Sequence, residues 1–191
     1  NPKGYNGMKL VREQSRPISG ETGLNAIRDR IERNDLGPVS AQPGKIEANV
    51  DKSAYIKHLL QYVKTADLKL LKILADPGNG AAGPVIEALQ PHLPFVWVMI
   101  NSEPDGNFPN GVPNPLLPEN RELTRQALLD HKCDLAVAWD GDFDRCFFFD
   151  ANGRFIEGYY LVGLLAEMLL KQHPGSKIIH DPRLTWNTVD Q

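Results

Sequence analysis

The sequence predicts an α/β fold, a mixed and mostly parallel sheet flanked by helices. Between Leu70 and Trp139, short apolar runs alternate with stretches of helical spacing in the order strand, helix, strand, helix, strand. Such alternation builds parallel strand pairs covered by crossover helices. A further apolar run, Cys146–Asp150, follows Leu135–Trp139 after a short Asp-Gly turn, so it doubles back as an antiparallel partner.

The chain opens on Asn1-Pro2-Lys3-Gly4-Tyr5-Asn6-Gly7, which is turn chemistry. Met8–Val11 is a short strand candidate. Ser19 or Glu21 starts a helix with Leu24, Ile27 and Ile31 at helical spacing, closed by Gly37-Pro38. Residues Val39 to Asn49, punctuated by Pro43 and Gly44, read as a linker. A second helix spans Ser53 to Thr65, buries Ile56, Leu59, Leu60 and Val63, and takes its cap from Asp51 or Ser53. The alternating part follows, with strands at Leu70–Ala75, Phe95–Ile100 and Leu135–Trp139 and helices at Ala81–Leu89 and Glu119–His131. Glu157–Gln172 is a long Leu-rich helix stopped by Pro174-Gly175, and Lys177–His180 reads as a last strand.

Composition removes several classes of function. With 191 residues, 41% hydrophobic and 24% charged, the chain can bury an ordinary globular core. A formal net charge of -3 supplies no basic field for nucleic acid or for an anionic membrane surface. No apolar segment approaches the roughly 20 residues that span a bilayer. Cys133 and Cys146 stand alone, too few for a disulfide framework and without zinc-site spacing, so a reducing, cytoplasmic setting is the expectation. The chain lacks an initiator Met and a signal-peptide pattern, and both ends read as cut, so a piece of a longer protein is expected.

The run Trp139-Asp140-Gly141-Asp142-Phe143-Asp144-Arg145 carries the strongest chemical signal. In a tight loop its three alternate carboxylates can converge on one hard cation such as Mg²⁺. Arg145 then stands beside the ion with a fork suited to phosphate, which is the equipment of phosphoryl transfer. A solvated acidic hairpin turn is the other reading, although three acids two apart repel one another. A helix-loop-helix calcium site is excluded, because its sixth and twelfth positions need Gly and Glu and hold Arg145 and Ala151.

Four other features read as ordinary structure. Asp76-Pro77-Gly78-Asn79-Gly80-Ala81-Ala82-Gly83 can cradle phosphate at a helix start, but lacks the nucleotide-loop endings. It reads better as a tight turn capped by Asp76 or Asn79. Ser102–Pro118 is rigid, turn-rich and exposed, with no assigned chemistry. Lys9 reads from its surroundings as a solvated charge, and the five histidines have no ligand spacing.

Together these motifs resemble the α-D-phosphohexomutase family, and within it the bacterial phosphomannomutases. The matching residues are Asn1-Pro2, Tyr5-Asn6-Gly7-Met8-Lys9, Gly78–Gly83, Pro104-Asp105-Gly106-Asn107-Phe108-Pro109 and Asp140–Arg145, in that order along nearly the whole chain. Phe143 departs from the pattern, standing where Gly is more usual between the second and third aspartates.

The resemblance implies a four-domain enzyme, with residues 1–45 ending its first domain, 46–154 forming the whole second, and 155–191 beginning the third. It implies Mg²⁺ held by Asp140, Asp142 and Asp144, and Arg145 steadying phosphoryl oxygens. Lys9 takes a general acid/base position, and Asn1 belongs to the phosphate-binding signature. The implied partners are hexose phosphates: mannose 6-phosphate, mannose 1-phosphate and a 1,6-bisphosphate intermediate. The phosphorylated serine, the sugar-reading loop of the third domain and the phosphate clamp of the fourth would lie outside these residues, leaving them inactive alone. Choice between mannose and glucose, and oligomeric state, are not readable from the residues present, so a phosphoglucomutase or dual-specificity enzyme is one alternative, and a non-catalytic metal- or phosphate-binding module is the other.

Overall fold

The computed structural model describes residues 4–5, 7–48 and 51–180. The chain divides into two compact units, Asn1–Asp51 and Lys52–Gln191.

In the first unit the expected strand at Met8–Val11 reduces to one bridge, Val11 to Pro17. The run pairs only locally, with Ile18 N–H donating to Leu10 O at 2.9 Å, and among the described residues no strand lies beside it to extend the ladder. The expected helix exists but starts later. The chain turns at Ser19, whose carbonyl accepts the Leu24 N–H at 3.0 Å, yet Gly23 at φ +145 widens the first turn. Regular helix α1 therefore covers Asn25–Glu32. It closes before Gly37-Pro38, because Asn34 takes the left-handed conformation at φ +55. The Asn34 N–H then donates to Ile31 O at 3.0 Å and the Asp35 N–H to Arg30 O at 2.8 Å, which satisfies the last carbonyls.

The second unit begins with α2, Ser53–Leu59, which tightens into a 3₁₀ turn at Leu60–Tyr62, so the expected helix is shorter than its apolar spacing suggested. Five strands follow: β1 Lys72–Asp76, β2 Val96–Met99, β3 Leu135–Trp139, β4 Cys146–Asp150 and β5 Phe155–Ile156. Among the described residues they form one sheet ordered β2-β1-β3-β4-β5. The pairs β1–β2 and β1–β3 are parallel, and β3–β4 and β4–β5 are antiparallel. The predicted mixed α/β architecture is therefore found. Three further helices complete the unit: α3 Gly83–Leu89, α4 Glu122–Asp130 and α5 Gly158–Gln172. Residues 176–180 form no strand, so the expected last strand at Lys177–His180 is absent; no described neighbour pairs with it.

Two apolar clusters hold the sheet to its helices. Leu74, Ala136, Ala138 and Phe149 pack with Leu128 of α4 and with Cys133. Ala75 packs with Ala82 and Ile86 of the α3 side, joined by Trp97, Met99, Trp139 and Phe143. Successive β1 residues, Leu74 and Ala75, thus serve opposite faces, as strand geometry requires. The long connection from β2 to α4 is pinned at its far end by Arg121. Its guanidinium donates to Pro115 O and Leu116 O, both at 2.8 Å, and lies 3.5 Å from the centre of the Phe155 ring.

Candidate metal centre

The β3–β4 hairpin decides where the acidic loop stands. Trp139 and Cys146 face each other as the last antiparallel pair, so Asp140–Arg145 must close the gap between two strand ends. The closure is tight: Phe143 N–H donates to Asp140 O at 3.1 Å, and Arg145 N–H to Asp140 Oδ1 at 3.1 Å. Phe143 is left-handed at φ +48, a backbone conformation that glycine adopts without strain. Its ring compensates by packing on the cluster of Ala75, Ala82 and Ile86.

This turn brings the three acids together. One carboxylate oxygen from each of Asp140, Asp142 and Asp144 lies within 4.8 Å of the others. Asp140 is only 2% exposed, while Asp142 and Asp144 face solvent. Neighbouring oxygens on an octahedral Mg²⁺ stand about 3 Å apart and opposite ones about 4.2 Å, so binding an ion requires the two exposed side chains to rotate inward toward Asp140. A hard, oxygen-only donor set of this kind fits Mg²⁺ and does not suit a soft metal.

Arg145 is folded against the same acids. Its Nη2 pairs with Asp140 Oδ2, and its Nε with Asp144 Oδ1 at 3.2 Å. Bonding to Asp140 is the largest cause that pushes the Arg145 pKa up; desolvation opposes it, and Asp144 adds a smaller push in the same direction as Asp140. The guanidinium stays about half exposed, so its outer face is open to an anion.

Two further segments back the loop. Ala81 N–H donates to Gly141 O at 3.0 Å. On the other side, a Cβ at Gly141 would meet Phe108 Cζ at 3.3 Å and Pro113 Cγ at 3.8 Å. The turn after β1 is organised by Asp76, buried at 6% exposure. Its Oδ1 accepts Gly78 N–H and Asn101 Nδ2 at 3.0 Å each, and its Oδ2 accepts Thr124 Oγ1 at 2.7 Å. Asp76 therefore holds the turn and the β2–α4 loop together. Neither Asp76 nor Asn79 caps α3, whose N-cap Ala82 has no side-chain bond. The sequence reading gave Ser102–Pro118 no role beyond structure. Its Asn, Pro and Gly density was the only local signal, and its contacts with the acid loop are long-range.

Of the residues singled out from sequence, Asp140, Asp142, Asp144 and Arg145 are brought together. Lys9 is exposed and belongs to the first unit, and Asn1 lies outside the described residues.

Residues 53–153 match the family description phosphoglucomutase/phosphomannomutase, α/β/α domain II. The chain belongs to this family. The phosphohexose mutases of Xanthomonas campestris pv. campestris (strain ATCC 33913) are 59% identical over 191 residues, covering 100% of this chain and 42% of that protein. The phosphomannomutase of Salmonella typhimurium (strain LT2) is 56% identical over 194 residues, covering 98% of this chain and 42% of that protein. A crystal structure of a phosphoglucomutase/phosphomannomutase family protein from Burkholderia thailandensis superposes with a TM-score of 0.70 at 30% identity, over 80% of this chain and 32% of that one. The chain thus spans about two-fifths of the length of these relatives. Among the described residues no helix is long and apolar enough to cross a membrane.

Proposed function

We propose that the chain is the metal-binding part of a Mg²⁺-dependent phosphomannomutase that interconverts mannose 6-phosphate and mannose 1-phosphate. The reading runs through an enzyme phosphoserine, contributed from outside these residues, and a hexose 1,6-bisphosphate. It places residues 1–45 in the first domain, 46–154 in the second and 155–191 in the third, in a cytoplasmic enzyme. The convergence of Asp140, Asp142 and Asp144 beside Arg145 carries the proposal.

Asp140, Asp142 and Asp144 would hold the ion. When bound, Mg²⁺ neutralises charge developing on a transferring phosphoryl group. Arg145 turns its open donors to the phosphoryl oxygens, and its planar fork gives bidentate contact that lysine cannot. Lys9 is assigned a proton transfer with the sugar hydroxyl, and Asn1 a contact with phosphate. The burial of Asp140 beneath the loop fixes one ligand, while exposed Asp142 and Asp144 can adjust to it.

In the full-length protein, Asp142→Ala is expected to cut turnover by orders of magnitude with circular dichroism unchanged. Near-normal turnover with the same Mg²⁺ dependence defeats the ligand assignment. The family description names both sugars, so a phosphoglucomutase or dual-specificity enzyme is the second reading. Coupled assays of the full-length protein with mannose 1-phosphate and glucose 1-phosphate, with and without EDTA, decide between them.

A further inference from the structure

Three asparagines tie the two segments that back the acid loop. Asn79, in the turn after β1, stands left-handed at φ +59, and Asn101, just after β2, at φ +49. Asn79 N–H donates to Asn101 O at 2.8 Å, and Asn79 O accepts Asp105 N–H at 2.9 Å. The Asn79 side chain donates to Glu103 O at 2.9 Å. Asn110 closes the set, its Nδ2 reaching Asn79 Oδ1 at 3.1 Å and Asn101 Oδ1 at 2.9 Å. Asn101 in turn donates to buried Asp76, which Thr124 of α4 also holds. The turn and the long loop are thereby fastened to each other and to the sheet.

What they enclose is Gly141, between the first two acids. Ala81 holds its carbonyl from one side, and Phe108 and Pro113 stand where a side chain on Gly141 would have to go. There is no slack: a Cβ on Gly80 would stand 2.6 Å from Gly141 O and 2.9 Å from Gly141 Cα. Those are backbone atoms, which cannot rotate aside as a side chain can. The acid loop has no disulfide or regular secondary structure of its own. The β3–β4 strand ends and bonds within the loop fix its base, this pair of backing segments holds its Gly141 side, and the asparagines join Asp76 in tying the pair together.

We infer that Asn79 and Asn110 are positioning residues, which fix where Asp140, Asp142 and Asp144 stand without touching an ion or a substrate. The inference deepens the metal-site reading and depends on it for its functional meaning. Outer-shell partners of metal ligands commonly govern affinity in this way.

The test uses the 191-residue chain and two readouts. Asn110→Ala removes both side-chain bonds, and Asn79→Gly removes its own while keeping a residue at ease with positive φ. In each, amide hydrogen exchange at Ala81 and Arg145 should quicken about tenfold, the weight of one to two net hydrogen bonds, while Leu74 and Val137 in the sheet are unchanged. Mn²⁺ affinity, followed by electron paramagnetic resonance, should fall roughly tenfold. Gly80→Ala, which displaces Gly141 directly, should reproduce both effects; if it fails to fold, the asparagine variants decide alone. Unchanged exchange at Ala81 and Arg145, or equal acceleration in the strands, overturns the inference. Should the unmodified chain bind no Mn²⁺, the metal-site reading loses its support, and exchange still judges the positioning role separately.

Discussion

Phe143 holds a conformation that its side chain disfavours, and the reason is readable in its surroundings. A left-handed backbone costs an L-residue roughly 1–2 kcal/mol, and here the ring repays it by packing beside Ala82 and Ile86. Truncation to Ala discards the packing and keeps the strain, whereas Gly discards both. Phe143→Gly is therefore expected to be more stable than Phe143→Ala by about 1–2 kcal/mol in urea unfolding, the reverse of the usual order at strand and helix positions. Equal stabilities would mean that the strain is relieved in some other way. The sequence showed that this position departs from its family's pattern, but neither the sign of φ nor the compensating contact.

Two elements turn close contacts into measurable quantities. Helix α3 starts at Gly83 against the β2–α4 loop, and a Cβ there would stand 1.9 Å from Ser102 O. Gly83→Ala should cost roughly 1–3 kcal/mol by overpacking, whereas Gly106→Ala, with nothing near its Cβ position, should stay within about 0.5 kcal/mol of the parent. The β4–β5 hairpin has a titrating clasp. Asp150 accepts the Arg154 and Asn152 N–H groups at 2.9 Å each, and the Arg154 bond foremost holds its carboxyl below the ordinary 3.8. A folded value lower than the unfolded one stabilises above the unfolded value and is lost as pH falls from there through the folded value. The stability gap between the parent and Asp150→Asn should therefore narrow on acidification through that window. A gap that widens or stays constant refutes the clasp. The elements themselves were legible to different degrees. Leu135–Trp139 and Cys146–Asp150 were found at their true bounds because dense apolar runs flank an Asp-Gly turn. β5 escaped, since Phe155–Ile156 is too short to show a period. Met8–Val11 has strand-like residues but no strand beside it, and pairing is a property of the fold rather than of four residues. The acids of the site could be read from their spacing, while the asparagines behind them could not, because Asn79 and Asn110 are distant in sequence and are brought together only by the fold.

At the scale of the whole chain, the division into Asn1–Asp51 and Lys52–Gln191 makes its own forecast. Residues 35–48 are exposed and lack regular structure, and Lys45 sits among them. Exposed connecting segments are cut first by proteases, so brief trypsin treatment should accumulate a product beginning at Ile46, identified by mass spectrometry. First cuts inside the sheet, after Lys72 for example, contradict the two-unit division. Trp139 gives the molecule a built-in optical gauge. Its indole adjoins Asp140 in sequence and shares a packing cluster with Phe143, so a cation drawing the carboxylates inward must alter the dielectric surroundings of the ring. Ion capture should be visible as a saturable change in tryptophan emission without any dye or label, and Asp142→Ala should leave that light unmoved.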